Sequence, residues 1–463
     1  MAFTTRQLGP SPCYEDVLSC LLSLQKHAGM PRGSPMKPRD LTLAWVERLG
    51  LDVNKTRYLH IAGTKGKGTT ALYLEHMLEH YYRTNSRTTK IGCLTSPHIM
   101  SVRDRFRLNS RPIAEQPFIA HFSSLWNRMH HTLSAPPMPK YPGFCTLLGF
   151  WIFCAEQVDI AVIETGMGGE TDSTNIISAP IASGLTKIGM DHMKSLGNTT
   201  EEIAWHKAGI IKTGVPAFSV PQDKGPAMIL RQRAAEKRAP LHFVTEERLI
   251  ECGIQVEPNE DWQRQNAALA IALAEACIVR DAPAGTIDAS TVRCLETTAL
   301  PAKFETIVQG HVTWILSSAH NAMSVEKACQ AFVAAPGYNS DARKILLFNP
   351  NARPESDQLF ATVLEKVSCE ASPGFNKVIF CSNVQSTSAS VIKSPTAPRD
   401  GSAHVNSRYE FIWQQFQGVG IIEVMPSAKD VVDRVRDHRE RTVVFVVGCS
   451  HLTGVVRRII VPE

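Results

Sequence analysis

From Tyr58 onward the chain alternates short, wholly apolar runs with longer stretches in which apolar residues recur every three or four positions. The short runs are YLHIA from Tyr58, KIGCL from Lys90, DIAVIE from Asp159 and PIASGLT from Pro180. Apolar runs of this length predict strands buried on both faces, as in a parallel sheet covered by helices. TTALYLEHMLEHYY, from Thr69 to Tyr82, has helical spacing. The segment from Tyr14 to Leu51 reads as two helices around a Gly/Pro-rich break near Gly29 to Pro38. The alternation restarts after about residue 295 with VTWIL from Val312, KILLF from Lys344, KVIFC from Lys377 and TVVFVV from Thr442, with a helix, SVEKACQAFVAA, from Ser324. Two α/β domains are expected, spanning residues 1–294 and 295–463, the second smaller and Rossmann-like. Residues 382–407, rich in Ser, Thr and Pro, read as an exposed, flexible loop.

Composition adds exclusions. A net charge of +5 spread over 463 residues suits anionic small molecules, and without clustered Lys/Arg it gives no nucleic-acid footprint. Twelve cysteines contain no C-x-x-C pair, so neither a zinc site nor a thioredoxin-like motif is expected, and most should be reduced core thiols. No apolar run approaches the roughly 20 residues that span a bilayer, and the N-terminus lacks a secretory apolar block. The expected setting is cytoplasmic, with a mitochondrial form compatible, and the expected state is a monomer without membrane or nucleic-acid partners.

Directly after the first strand comes GTKGKGTT, Gly63 to Thr70, running into a helix. Gly63, Thr64, Lys65, Gly66, Lys67, Gly68 and Thr69 form a candidate phosphate cradle. Glycines let backbone N–H groups converge on an anion, Lys67 adds a point charge, and the helix N-terminus adds its dipole. The spacing is not a strict Walker A, because Gly68 separates Lys67 from Thr69. ATP is the expected ligand.

The loop resembles the G-T-x-G-K-G-S/T of folylpolyglutamate synthases, relatives of the Mur ligases. Further blocks follow in that family's order: TSPHIMSVRDRFRLN from Thr95, ETGMGGETDSTNII from Glu164, GMDHMKSLGNTTEEIAWHKAGIIK from Gly189 and VVGCSHLTG from Val446. The resemblance implies a Mur-ligase-like P-loop domain. It implies an ATP-dependent ligase that adds L-glutamate to the γ-carboxylate of a folate through an acyl phosphate. It implies ATP and Mg²⁺ as cofactors, with a monovalent cation such as K⁺ also compatible. Ser96, Glu164 and His192 fall where the family holds its metals. Lys207 matches the lysine that the family carbamylates, which turns a cation into an anionic oxygen ligand. Lys207 should lie on an amphipathic helix capped by Thr199 or Thr200, with Glu201 and Glu202 in its first turn. Lys67, Lys207 and His320 are the implied catalytic residues, and Asn266, in WQRQNAALAIALA, is an implied adenine contact.

The family's W-P-G-R appears as LPAK, ending at Lys303, and its D-G-A-H as SSAH, Ser317 to His320. Lys lacks the planar fork of Arg, and Ser317 carries no charge where the family has an Asp assigned to ATP. Ser110 replaces the Gly of R-I-N-G. Arg103, Arg105 and Arg107 are candidates for holding anionic groups near the cleft. Two other readings stay open: an amide ligase joining an amino acid to a non-folate carboxylic acid, and a nucleotide-binding protein with little turnover.

Overall fold

The computed structural model describes residues 8–9, 11–26, 36–85, 88–132, 135–281, 287–335, 338, 341–349, 356–367, 374–381, 409, 411–415 and 421–461. The segment 382–407 lies outside the described residues. The chain divides into two compact units, one of residues 1–98 and 102–299, the other of residues 99–101 and 300–463.

In the first unit the expected apolar runs are strands, joined by two more and an antiparallel hairpin. These are β1 (Arg57–Ala62), β2 (Ile91–Leu94), β3 (Phe106–Leu108), β4 (Arg111–Pro112), β5 (Ile160–Glu164), β6 (Ala182–Leu185), β7 (Ala217–Ser219) and β8 (Leu241–Phe243). They form one sheet in the order β4-β3-β2-β5-β1-β6-β7-β8, with every pairing parallel except those of β3 with β2 and with β4. Every residue of β2, β5 and β6 is buried, as strands covered on both faces must be. The helices Tyr14–Lys26, Pro38–Leu49, Glu115–His131 and Tyr141–Ala155 build an aromatic-rich core around Phe118, Phe122, Trp126 and Phe144. Ile61 lies opposite Glu164 of β5, and Ala62 opposite Leu185 of β6. The loops that leave β1, β5 and β6 therefore emerge side by side at the carboxyl ends of three adjacent strands, where open α/β sheets place their ligands.

The second unit holds β9 (Lys303–Gln309), β10 (Val312–Ser317), β11 (Arg343–Phe348), β12 (Lys377–Cys381), β13 (Ile421–Met425) and β14 (Thr442–Val447). Their order is β13-β12-β11-β14-β10-β9, with only β9 antiparallel. Helices Ala322–Ala334 and Ser356–Val367 share one core with the sheet, and Ala428–Asp437 and Ser450–Ile460 share another. The eleven described cysteines are free thiols, seven of them buried. Among the described residues no helix is long and apolar enough to cross a membrane.

Candidate active site

The loop after β1 is built as the glycines require. Gly63 has φ +148° and Gly66 φ +93°, and Gly66 caps the helix Lys67–Thr84. A Cβ on Gly66 would stand 2.0 Å from Asn266 Oδ1, and one on Gly63 1.8 Å from Thr186 Oγ1. Asn266, the implied adenine contact, is 5% exposed and packs against the loop at Gly66. Thr64 stitches the loop to the segment after β6: its hydroxyl donates to Gly189 O and accepts from Gly189 N, both at 3.0 Å. Lys65 Nζ lies 3.6 Å from Asp191 Oδ2.

Lys67 Nζ donates to Gly63 O at 3.1 Å, and Lys207 Nζ donates to the same oxygen at 2.6 Å. Two amines thus meet at the base of the cradle. Thr199 caps the helix Thr200–Lys207 through a full capping box with Glu202. Ile203, Ala204 and Lys207 are the buried residues of that helix and share one face, as an amphipathic helix requires, with a lysine standing where an apolar residue would be usual. Lys207 is 2% exposed. Burial first, and then the neighbouring Lys67, push its amine down to about 7, against the pull of Asp191 and Asp172.

Glu164 ends β5, is buried, and accepts from Ser96 N at 2.8 Å. His192 caps a short turn of helix at φ +53°. Burial lowers its pKa, with Lys207, Lys67 and Lys65 acting in the same direction and Asp191 opposing. A neutral imidazole results, the form that can ligate a metal. Among the described residues no three His, Cys, Asp or Glu side chains converge as a closed metal cage. One carboxylate and a hydroxyl beside a phosphate cradle fit an ion that binds through few protein oxygens and keeps water and phosphate ligands, as Mg²⁺ does.

The arginine expectation needs correction. Arg107 is largely buried and pairs with the buried Glu75, Nε to Oε2 at 2.7 Å, so it supports the sheet edge rather than a ligand. Arg105 Nε donates to His98 Nδ1 at 3.1 Å, and its guanidinium lies over the Tyr141 ring. Arg103 donates to Ile113 O. Ser110 is a turn residue: Asn109 and Ser110, at φ +48° and +62°, are the two-residue hairpin between β3 and β4. Its hydroxyl is buried without a hydrogen-bond partner.

Sequence reasoning missed a chain of polar contacts behind β1. Asp172 Oδ1 accepts from the Thr174 amide and hydroxyl, at 2.9 and 2.6 Å, and Oδ2 from Met167 N at 2.8 Å. The Thr174 hydroxyl also meets His60 Nε2 at 2.8 Å. His60 is fully buried, which lowers its pKa to about 3 and leaves it neutral. The DSTN run, Asp172 to Asn175 within ETGMGGETDSTNII, is the available signal for Asp172; His60 gives none.

In the second unit, Lys303 of β9 sits directly across from Ser317 of β10, at a register shift. Ser317 is 6% exposed, and its hydroxyl accepts from Ala319 N at 3.4 Å. His320 Nδ1 lies 2.9 Å from Ser318 O, just before the capping box of Asn321 and Ser324.

No protein-family model matches the chain. Among curated proteins, the folylpolyglutamate synthase of Neurospora crassa is 31% identical over 490 residues, covering 98% of this chain and 92% of its own. The chain belongs to the folylpolyglutamate synthase family. The mitochondrial folylpolyglutamate synthase of Homo sapiens is 33% identical over 82% of this chain and 69% of its own. Solved family structures share the fold. That of Thermotoga maritima has a TM-score of 0.73 at 20% identity, covering 97% of this chain and 98% of its own. That of Mycobacterium tuberculosis, complexed with ADP and AMPPCP, has a TM-score of 0.72 at 20% identity, covering 97% of this chain and all of its own. The expected Mur-ligase-like α/β architecture is therefore the observed one.

Proposed function

We propose that this chain is an ATP-dependent acid–amino-acid ligase that adds L-glutamate to the γ-carboxylate of a folate. The observation that carries the reading is the convergence of Lys67 and Lys207 on Gly63 O, one strand away from Glu164. Phosphoryl transfer to a carboxylate needs positioning and neutralisation of charge more than covalent help. Thr64 N and Lys65 N donate to Lys187 O, so the backbone N–H groups at the start of the helix Lys67–Thr84, with the Lys67 ammonium, would hold the ATP phosphates. The γ-phosphoryl passes to an oxygen of the acceptor γ-carboxylate, releasing ADP. The glutamate amine attacks the acyl carbon, phosphate leaves, and an amide forms. Mg²⁺, bound through Ser96, Glu164 and His192 together with phosphate oxygens, would neutralise charge on the transferring group.

Lys207 fits the role of a carbamylated lysine, because an amine near pKa 7 is about half unprotonated at neutral pH, where an ordinary lysine is almost wholly protonated, and is open to CO₂. The product carbamate would put an anionic oxygen toward the metal, where an ammonium would repel it. Asn266, Lys303 and Ser317 are assigned to nucleotide contacts and His320 to catalysis on the family motif. The named relatives supply the substrates, folate and glutamate, and one of them a mitochondrial location.

The test is ATP consumption by purified protein with glutamate and a panel of carboxylate acceptors. One ADP should appear per amide formed, with a folate as the preferred acceptor. Turnover with a non-folate acid alone would instead support a ligase of different acceptor.

A further inference from the structure

The segment that carries Lys207 is pressed against the loop after β5 with no side chain between them. Glu170 N donates to His206 O at 2.7 Å. A Cβ on Gly169 would stand 2.7 Å from the carbonyl oxygens of both His206 and Lys207. A Cβ on Gly209 would stand 2.4 Å from Glu170 Cα. Such a seam sets the height of the Lys207 amine under Gly63, but two backbones in contact supply little to keep it closed.

Side chains on either flank close it. Arg233, on the helix Lys224–Glu236, is 9% exposed and donates from Nη2 to Glu170 Oε2 at 2.5 Å. Its guanidinium also lies 4.5 Å over the ring of Trp205, two residues before Lys207. One arginine therefore grips both sides of the seam: the loop through Glu170 and the lysine helix through Trp205. On the far side Asn175 Nδ2 donates to Glu170 O and Gly209 O, at 3.2 and 3.1 Å. Lys212 holds Asn175 through Oδ1 at 2.8 Å.

We propose that Glu170 and Arg233 form a clasp that positions Lys207 for carbamylation. Both are positioning residues; neither side chain touches the Lys207 amine. The inference rests on the reading of Lys207 as the carbamylated lysine. Carbamate formation joins the amine nitrogen to the carbon of CO₂ and releases one proton to solvent. The nitrogen must therefore be held where the new carboxylate has room, and a loosened seam lets it drift from that place.

The experiment measures the carbamate itself in the full-length protein by ¹³C NMR in ¹³C-bicarbonate, assigned by its loss in Lys207→Ala. In Glu170→Gln and Arg233→Met the bicarbonate needed for half occupancy should rise about tenfold, the scale of losing one charge-assisted contact. The double variant should fall no further than either single one, because one pair is being broken. Arg233→Lys, which keeps the charge and most of the volume, should fold and lie between parent and Arg233→Met. A pair that only stabilises the fold would lower the melting temperature and leave occupancy of the folded protein unchanged. Parent-like bicarbonate dependence in folded Arg233→Lys and Glu170→Gln overturns the clasp. A parent without any carbamate signal overturns it as well, whatever its ligase activity. A parent that carries the carbamate but does not ligate glutamate sinks the proposed function and leaves the clasp standing.

Discussion

Lys207→Met should make the protein more stable and inactive, and the gain should depend on pH in a set direction. The buried amine falls from 10.5 to about 7 on folding. At about 1.4 kcal/mol per tenfold change in proton affinity, the ammonium form opposes folding by about 5 kcal/mol. The unfolded chain keeps its proton up to about pH 10.5, whereas the folded chain releases it near 7. Between those values the unfolded state binds more protons, so stability rises with pH; the penalty is full below pH 7 and gone above 10.5. Methionine removes the charge at similar length but loses the hydrogen bond to Gly63 O, a loss of about 1–2 kcal/mol. Lys67 still donates to that oxygen. The net gain should be about 3 kcal/mol at pH 6, shrink by about 1.4 kcal/mol per pH unit above 7, and vanish near pH 9. Calorimetric and urea unfolding of both proteins in CO₂-free buffers at pH 6, 7.5 and 9 measures it. A variant less stable than the parent at pH 6, or a gain equal at all three values, would refute the reasoning.

Three further outcomes are expected. Ser110→Gly relieves a left-handed residue and an unpartnered buried hydroxyl, against the extra chain entropy of glycine. It should raise stability by about 1–2 kcal/mol without altering the acceptor KM; a changed KM would return Ser110 to the substrate site. Ser317→Asp should tighten ATP binding about tenfold through one charge-assisted hydrogen bond. Combined with Lys303→Arg it should exceed the sum of the single changes, because the two positions face each other across β9 and β10. Weaker ATP binding in all three variants would mean a site rebuilt for other geometry. Lys67→Ala should lower ATP turnover at least about a hundredfold with the circular dichroism spectrum unchanged; near-parent turnover would displace the phosphate cradle.

The strands were legible because a sheet covered on both faces writes itself as unbroken apolar runs, and β1, β5, β10 and β14 all do so. The cradle was legible because its glycines and lysines are contiguous. The hairpin at Asn109 and Ser110 was not, since a serine hides the glycine signal of a turn with two positive φ values. Arg107 gave no sign of burial because its partner, Glu75, lies 32 residues away on another element. Apart from the family motif, Lys207 carries no sign of burial in the sequence, because lysines are rarely buried alone. The close approach of Gly169 and Gly209 to opposing backbone brings its helix against the loop after β5, and that approach is not encoded in any periodicity of the sequence.

That burial bears on the choice between a working ligase and a nucleotide-binding protein with little turnover. The departures from the family are of different kinds. Ser110 is a matter of turn strain, while Lys303 and Ser317 are a single cross-strand pair in the second unit. In the first unit Lys67, Glu164 and Lys207 are all present, and Lys207 is placed at a cost to folding. A protein that only bound nucleotide would need the cradle, but not a second amine buried beneath it. Most apolar replacements of Lys207 would stabilise such a protein, and nothing would oppose them, because selection removes only changes that carry a protein below what its function needs. A group that burdens stability and sits beside a phosphate cradle belongs to the class of perturbed residues expected at reacting centres. Retention of Lys207, together with the seam and clasp that hold it, therefore weighs for turnover. On that reading the altered pair at Lys303 and Ser317 should show itself in how tightly ATP is held and not in loss of the chemistry, which the ATP titrations of Ser317→Asp and Lys303→Arg measure.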